Sequence, residues 1–186
     1  MRFVVRGERS EPVRKAPRRA RVPEKVFLIG LVLMVASGCA GPAPAPEAAA
    51  AAVVADTLSF SGTTLEGTTF DASAMAGKPA ILWFWAPWCA TCASEAQSIN
   101  DLRTEYGDKL GILGIAGMGN NKDMHRFVSD LEVMNVNLDD QAGVLWKKFG
   151  ITEQSTYVLI DRTGRVRTTG YLDDLQLTDE VKTLLA

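Results

Sequence analysis

Two cysteines separated by two residues, Cys89 and Cys92, are the side chains of this chain best suited to covalent chemistry. An apolar run from Ile81 to Trp85 precedes them, and a segment typical of a helix, Ala93 to Tyr106, follows them. Because a helix start carries unpaired N–H groups and the positive end of the helix dipole, it favours a thiolate over a thiol. The thiolate is the form of cysteine that attacks a disulfide. We therefore predict that Cys89 is a nucleophile in thiol–disulfide exchange.

Cys92 lies one helical turn after Cys89 on the same helix face, where it can resolve a mixed disulfide from within the molecule. A zinc site is disfavoured, because the chain holds only one other cysteine, Cys39, and one histidine, His125, and structural zinc needs four ligands. A purely structural disulfide remains the alternative. A redox-active pair needs neither a metal nor an organic cofactor, so we predict none.

The nine residues from Phe84 to Cys92, Phe-Trp-Ala-Pro-Trp-Cys-Ala-Thr-Cys, resemble the active-site signature of the thioredoxin superfamily. Glu95, three residues after Cys92, makes the longer context similar to the exported TlpA/ResA/DsbE-like branch. The resemblance covers residues 56–186 and implies a protein thiol:disulfide oxidoreductase with a thioredoxin-like fold. It also implies that Trp88 forms an apolar surface on which an extended substrate peptide lies.

Glu95 is a candidate proton shuttle, since one helical turn separates it from Cys92. The alternative is an ordinary glutamate on a solvated helix face. Trp83 and Trp85 are predicted to be core aromatics, whereas Trp88, beside the helix start, is predicted to be exposed.

Three positions depart from the pattern of the family. Ser155 stands where relatives place a cis-proline, and a non-proline cis bond costs about 2.5–4 kcal/mol, so we predict a trans Gln154–Ser155 bond. The Ser155 hydroxyl is expected beside the thiols, where it would stabilise the Cys89 thiolate or alter the binding of substrate by Gln154 and Ser155. Gln97 replaces a helix-kinking proline, and Trp83 replaces the buried acid of cytoplasmic thioredoxins. These changes leave the direction of electron flow open.

The N-terminal residues 1–38 are predicted to be a lipoprotein signal peptide. They carry nine Lys or Arg and three Asp or Glu, and their apolar run, Val26 to Val35, is too short to span a membrane. The sequence Ala36-Ser37-Gly38-Cys39 resembles a bacterial lipobox, which implies that Cys39 becomes the lipidated first residue of the mature protein. The alternative is an ordinary cysteine at the end of a signal peptide. Residues 39–55 are predicted to be an Ala/Pro-rich tether.

The rest of the chain is acidic, with 11 Lys or Arg and 19 Asp or Glu after residue 38. This balance argues against a nucleic-acid partner.

Residues 56–186 are predicted to form one α/β domain, with a mixed central sheet flanked by helices and an N-terminal β-hairpin. The hairpin is expected at Thr57 to Phe60 and Thr68 to Phe70, and a second one at Tyr157 to Asp161 and Val166 to Tyr171. The runs Pro79 to Trp85 and Leu110 to Ala116 are apolar throughout, as expected of strands covered on both faces. Further helices are expected at Asn121 to Glu132, Ala142 to Phe149 and Thr178 to Leu185.

We predict an exported thiol:disulfide oxidoreductase, lipid-anchored in the cell envelope, that assists oxidative folding of exported proteins. Its partners would be exported proteins with thiols or disulfides, a membrane redox protein, and the membrane itself through Cys39. Two alternatives remain: a ResA-like reductase for cytochrome c maturation, and a non-catalytic, membrane-anchored module that binds a partner.

Overall fold

A five-stranded mixed sheet forms the centre of the computed structural model, which describes residues 57–186. The predicted signal peptide, the tether and Cys39 lie outside the described residues. The strands are β1 Ser61–Thr63, β2 Thr69–Asp71, β3 Ala80–Trp85, β4 Gly111–Ala116, β5 Val136–Asp139, β6 Thr156–Ile160 and β7 Val166–Gly170. The helices are α1 Ala90–Tyr106, α2 Asn121–Asp130, α3 Val144–Lys148 and α4 Asp174–Leu185, with short 3₁₀ turns at Ala72–Met75 and Gly107–Lys109.

The central sheet has the order β5-β4-β3-β6-β7. Strand β3 pairs in parallel with β4, and β4 pairs in parallel with β5, whereas β6 runs antiparallel to both β3 and β7. Strands β1 and β2 form a separate antiparallel hairpin. The predicted α/β class, the mixed sheet and the N-terminal hairpin are therefore all present.

Strand β3 is buried along its whole length because layers of side chains cover both of its faces. Ile81, Trp83 and Trp85 pack on one face, in a cluster with apolar residues of α1, α2 and α4. Leu82 and Phe84 pack on the other face, in a cluster with apolar residues of α3 and of the segments around the hairpin. Trp83 and Trp85 are fully buried, so their assignment to the core is confirmed.

Several predicted boundaries differ from the structure. The first strand of the hairpin begins at Ser61 instead of Thr57. Helix α4 begins four residues before the predicted Thr178, because Asp173 and Gln176 cap each other's backbone N–H groups. Helix α3 is shorter than predicted, and the carboxylate of Asp140 accepts the N–H groups of its first three residues. The spacing of residues therefore predicted where these elements lie, whereas capping interactions determine where α3 and α4 begin.

None of the helices in the described part of the chain, residues 57–186, combines the length and the apolar character that a membrane span requires.

Candidate active site

The two cysteines lie where β3 ends and α1 begins. Cys89 is the N-cap residue of α1, and its sulfur accepts the backbone N–H of Cys92 at 3.0 Å. The two sulfurs form a disulfide, with 5.3 Å between the Cα atoms. The strand–turn–helix arrangement predicted from the sequence therefore puts the Cys89 sulfur at the positive end of a 17-residue helix.

The two cysteines differ in their access to solvent. Cys92 has no exposed surface, whereas 6% of Cys89 is exposed, on the wall of an open cleft of about 490 Å³. An incoming sulfur can therefore reach Cys89 and not Cys92, as a nucleophile and a buried resolving thiol require.

The residues predicted to bind substrate line two separate grooves. Gln154 and Ser155 line the cleft together with Cys89 and Tyr171. Trp88 is 59% exposed and lines a second groove of about 350 Å³, and its indole N–H donates to the carbonyl of Met118 at 2.7 Å. The exposure predicted for Trp88 is confirmed, but the structure separates it from the cleft that holds Gln154 and Ser155.

Ser155 has an unusual backbone conformation for a residue other than glycine. Residues 57–186 contain no cis peptide bond, so the predicted trans Gln154–Ser155 bond is confirmed. Its φ of 60° lies in the left-handed region, which non-glycine residues adopt at a cost. Its hydroxyl, which the sequence led us to expect beside the thiols, donates to Oε1 of Glu95.

Glu95 is buried beneath the active site, with 4% of its surface exposed. The Trp83 indole N–H donates to Oε2 at 2.8 Å, and the Ser155 hydroxyl donates to Oε1. Burial raises the pKa of the Glu95 carboxyl above its ordinary value, even though the hydrogen bonds from Ser155 and Trp83 oppose the shift. This placement contradicts the alternative of a glutamate on a solvated helix face.

The pairing with Glu95 also explains the tryptophan at position 83. Cytoplasmic thioredoxins, by the resemblance above, carry a buried acid on the strand at this position. Here the helix supplies the acid, and the strand supplies an indole N–H that binds it. The chain therefore has a buried carboxyl at the site, carried by α1 instead of β3.

Two residues near Glu95 were missed by the sequence analysis. Tyr157 on β6 is fully buried, and burial together with the negative charge of Glu95 raises the pKa of its phenol. Asp174 at the start of α4 accepts a hydrogen bond from Ser98 at 2.6 Å, and its charge also raises the pKa of Glu95. Both come from segments more than 60 residues along the chain, so no local spacing signalled them.

Helix α1 continues through Gln97 without interruption, consistent with the absence of a kinking proline. The Gln97 amide donates to Asp101 one turn later at 2.8 Å. His125 is exposed on α2.

Comparisons with known proteins agree with this geometry. A family model described as Redoxin matches residues 43–185. The soluble secreted antigen MPT53 of Mycobacterium tuberculosis is 35% identical over 144 residues, which cover 76% of this chain and 81% of that protein. The structure of MTB dsbF in its mixed oxidized and reduced forms has a TM-score of 0.65 and 36% identity, covering 69% of this chain and 96% of that one. A secreted M. tuberculosis disulfide oxidoreductase, described as homologous to E. coli DsbE, has a TM-score of 0.63 and 32% identity, covering 69% of this chain and 98% of that one.

Proposed function

The chain belongs to the redoxin family and is a thiol–disulfide oxidoreductase with a thioredoxin-like fold, and we propose that it oxidises exported proteins outside the cytoplasm. The observation that carries the exchange chemistry is the access of Cys89 to the open cleft with Cys92 fully buried, and the oxidising direction rests on the proposed location outside the cytoplasm, where disulfides persist. A substrate thiolate attacks the Cys89 sulfur, the bond to Cys92 breaks, and a mixed disulfide forms. The second thiol of the substrate then releases Cys89, which leaves the substrate oxidised and the cysteine pair reduced.

The positions of the surrounding residues support roles in substrate binding. Gln154 and Ser155 line the cleft that contains Cys89, which supports a role for them in contacting the substrate backbone. Trp88, next to Cys89 in the sequence, offers an exposed apolar face on a groove separate from the cleft. An indole anchored by a hydrogen bond loses little conformational entropy when a peptide covers it, so we assign it substrate contact.

The direction of electron flow depends on the reduction potential of the Cys89–Cys92 pair. We expect a value near that of oxidising relatives, about −120 to −180 mV, and not the value near −270 mV typical of a reductant. The potential is measured by equilibrating the protein with glutathione buffers and counting alkylated thiols by mass spectrometry. Oxidation of a reduced, unfolded disulfide protein is the matching activity assay. A potential near −270 mV would contradict the oxidising role and favour the ResA-like reductase.

The oxidising role requires export, because disulfides persist only in oxidising compartments. MPT53, with which the chain shares 35% identity, is described as a soluble secreted antigen. The lipobox-like sequence before Cys39 also supports export, and it supports a lipid anchor on the exported protein. Two or more acyl chains hold a protein stably on a membrane, whereas one does not.

Replacing Cys39 by serine should release the protein from the membrane without affecting Cys89 and Cys92. In a bacterial host, wild-type protein should fractionate with membranes and incorporate labelled fatty acid, and Cys39→Ser should do neither. An unchanged distribution between the membrane, soluble and medium fractions would contradict the anchor, but it would leave the redox activity standing.

A further inference from the structure

Ser155 lies between the open cleft and the buried carboxyl of Glu95. It lines the cleft, whereas Glu95 does not. Its hydroxyl donates to Oε1 of Glu95, and the other carboxyl oxygen accepts the Trp83 indole. The route from Glu95 to the cleft therefore passes through the side chain of Ser155.

The groups around Glu95 differ in their ability to move a proton. A serine hydroxyl both donates and accepts hydrogen bonds, so it can take a proton on one side and release one on the other. The Trp83 indole only donates. Tyr157 carries a hydroxyl, but it is fully buried and does not line the cleft. Ser155 therefore carries a group that can both donate and accept a proton, and it also lines the cleft.

The redox reaction creates the need for such a group. When the disulfide opens, the electron pair of the broken bond goes to the Cys92 sulfur, which has no exposed surface and needs a proton. Glu95, one helical turn further along the same face, is the nearest buried acid in sequence. If Glu95 gave up its proton alone, it would be left as a buried carboxylate, so a proton from the cleft must replace the lost one in the same step.

We propose that the Ser155 hydroxyl relays protons between the cleft and Glu95, an inference that rests on the redox activity proposed above. The first substrate thiol sheds its proton into the cleft as its sulfur bonds to Cys89 and the Cys89–Cys92 bond breaks. In the same step, that proton passes to the Ser155 hydroxyl, the hydroxyl proton passes to Glu95, and the Glu95 proton passes to the Cys92 sulfur, which holds the electron pair of the broken bond. The second substrate thiol then attacks the mixed disulfide, its proton goes to solvent in the cleft, and Cys89 leaves as a thiolate. The substrate loses two electrons and two protons, and the cysteine pair gains both electrons and the relayed proton.

Other groups facing Glu95 set the pH at which the relay works. Tyr157 faces it from β6 and Asp174 from α4, and the negative charge of Asp174 favours the protonated carboxyl. The Trp83 indole from β3 carries no charge. At a given pH, a larger fraction of Glu95 is therefore protonated than of an exposed glutamate.

The test compares Ser155→Ala with Ser155→Gly in the full chain. Both variants remove the hydroxyl, but glycine also relieves the strained φ of 60° and alanine does not. Oxidised protein is mixed with dithiothreitol, and opening of the Cys89–Cys92 disulfide is followed by rapid acid quenching, alkylation and mass spectrometry at a series of pH values. The free energy of unfolding is measured for each variant in urea.

A relay predicts that both variants react about tenfold more slowly than the wild type, by equal factors and with the same altered pH profile, although their stabilities differ. It also predicts that imidazole buffer accelerates Ser155→Gly, whose side-chain gap opens to the cleft, and leaves the wild type unaffected. Wild-type rates and pH profile in either variant, or rates that follow stability, would overturn the relay. If replacing Cys89 left the rate of thiol–disulfide exchange unchanged, that result would instead overturn the proposed function.

Discussion

Replacing Cys89 by serine should lower the rate of dithiol oxidation by at least about 10³-fold, because serine is no nucleophile toward sulfur at neutral pH and no disulfide remains to accept electrons. Replacing Cys92 by serine should have a different effect. When this variant is mixed with a substrate that already contains a disulfide, the Cys89 thiolate attacks that bond, forms a mixed disulfide and frees the other substrate sulfur as a thiolate, but no internal thiol resolves the adduct. We therefore expect a stable adduct that non-reducing gels detect with Cys92→Ser and not with Cys89→Ser.

The matched control is Ser94→Ala, a change on the exposed face of the same helix. Its activity should equal that of the wild type, since surface substitutions seldom change stability by more than about 0.5 kcal/mol. Oxidation by Cys89→Ser at the wild-type rate would leave a partner-binding role as the better interpretation.

Replacing Glu95 by glutamine should lower the rate of exchange by about 10²-fold and change its dependence on pH. Glutamine keeps the size of the side chain and can still accept the Trp83 indole N–H, while its NH₂ donates to a reoriented Ser155 hydroxyl. It cannot carry a titrating proton. The loss should therefore appear in the rate and its pH profile and not in the fold, measured with the same quenched dithiol assay.

The stability of Glu95→Gln should also differ from that of the wild type in its dependence on pH. Because burial raises the pKa of Glu95, the folded state holds this proton at pH values where the unfolded state has lost it. Wild-type stability therefore falls as pH rises from the ordinary glutamate range through the raised pKa, by up to about 1.4 kcal/mol per pH unit. This contribution disappears in Glu95→Gln, and Glu105→Gln on the exposed face of α1 is the control. Parallel stability curves for wild type and Glu95→Gln would contradict the raised pKa.

The sequence predicted those parts of the fold and site that depend on neighbouring residues. The uninterrupted apolar run of β3 indicated a strand covered on both faces, and the spacing of Cys89 and Cys92 indicated a helix start. Both follow from periodicity and helix geometry. The exposure of Trp88 followed from its place in the turn between them.

The environment of Glu95 was not predictable in this way. Spacing put it one turn beyond Cys92 but did not distinguish a solvated face from a buried one. Its burial is created by β3, β6 and the start of α4, which bring Trp83, Tyr157 and Asp174 around it. Likewise, the sequence put a hydroxyl at Ser155 near the thiols, but it signalled neither the left-handed backbone at that position nor the hydrogen bond to Glu95.

The hydrogen bond between Trp83 and Glu95 has a practical consequence. The indole is fully buried and touches the carboxyl that gives up and regains a proton during the proposed cycle. The fluorescence of Trp83 should therefore change in intensity and in emission wavelength when Glu95 gains or loses its proton. With Trp146 replaced by phenylalanine to reduce the background, the enzyme would act as its own fluorescent reporter of turnover.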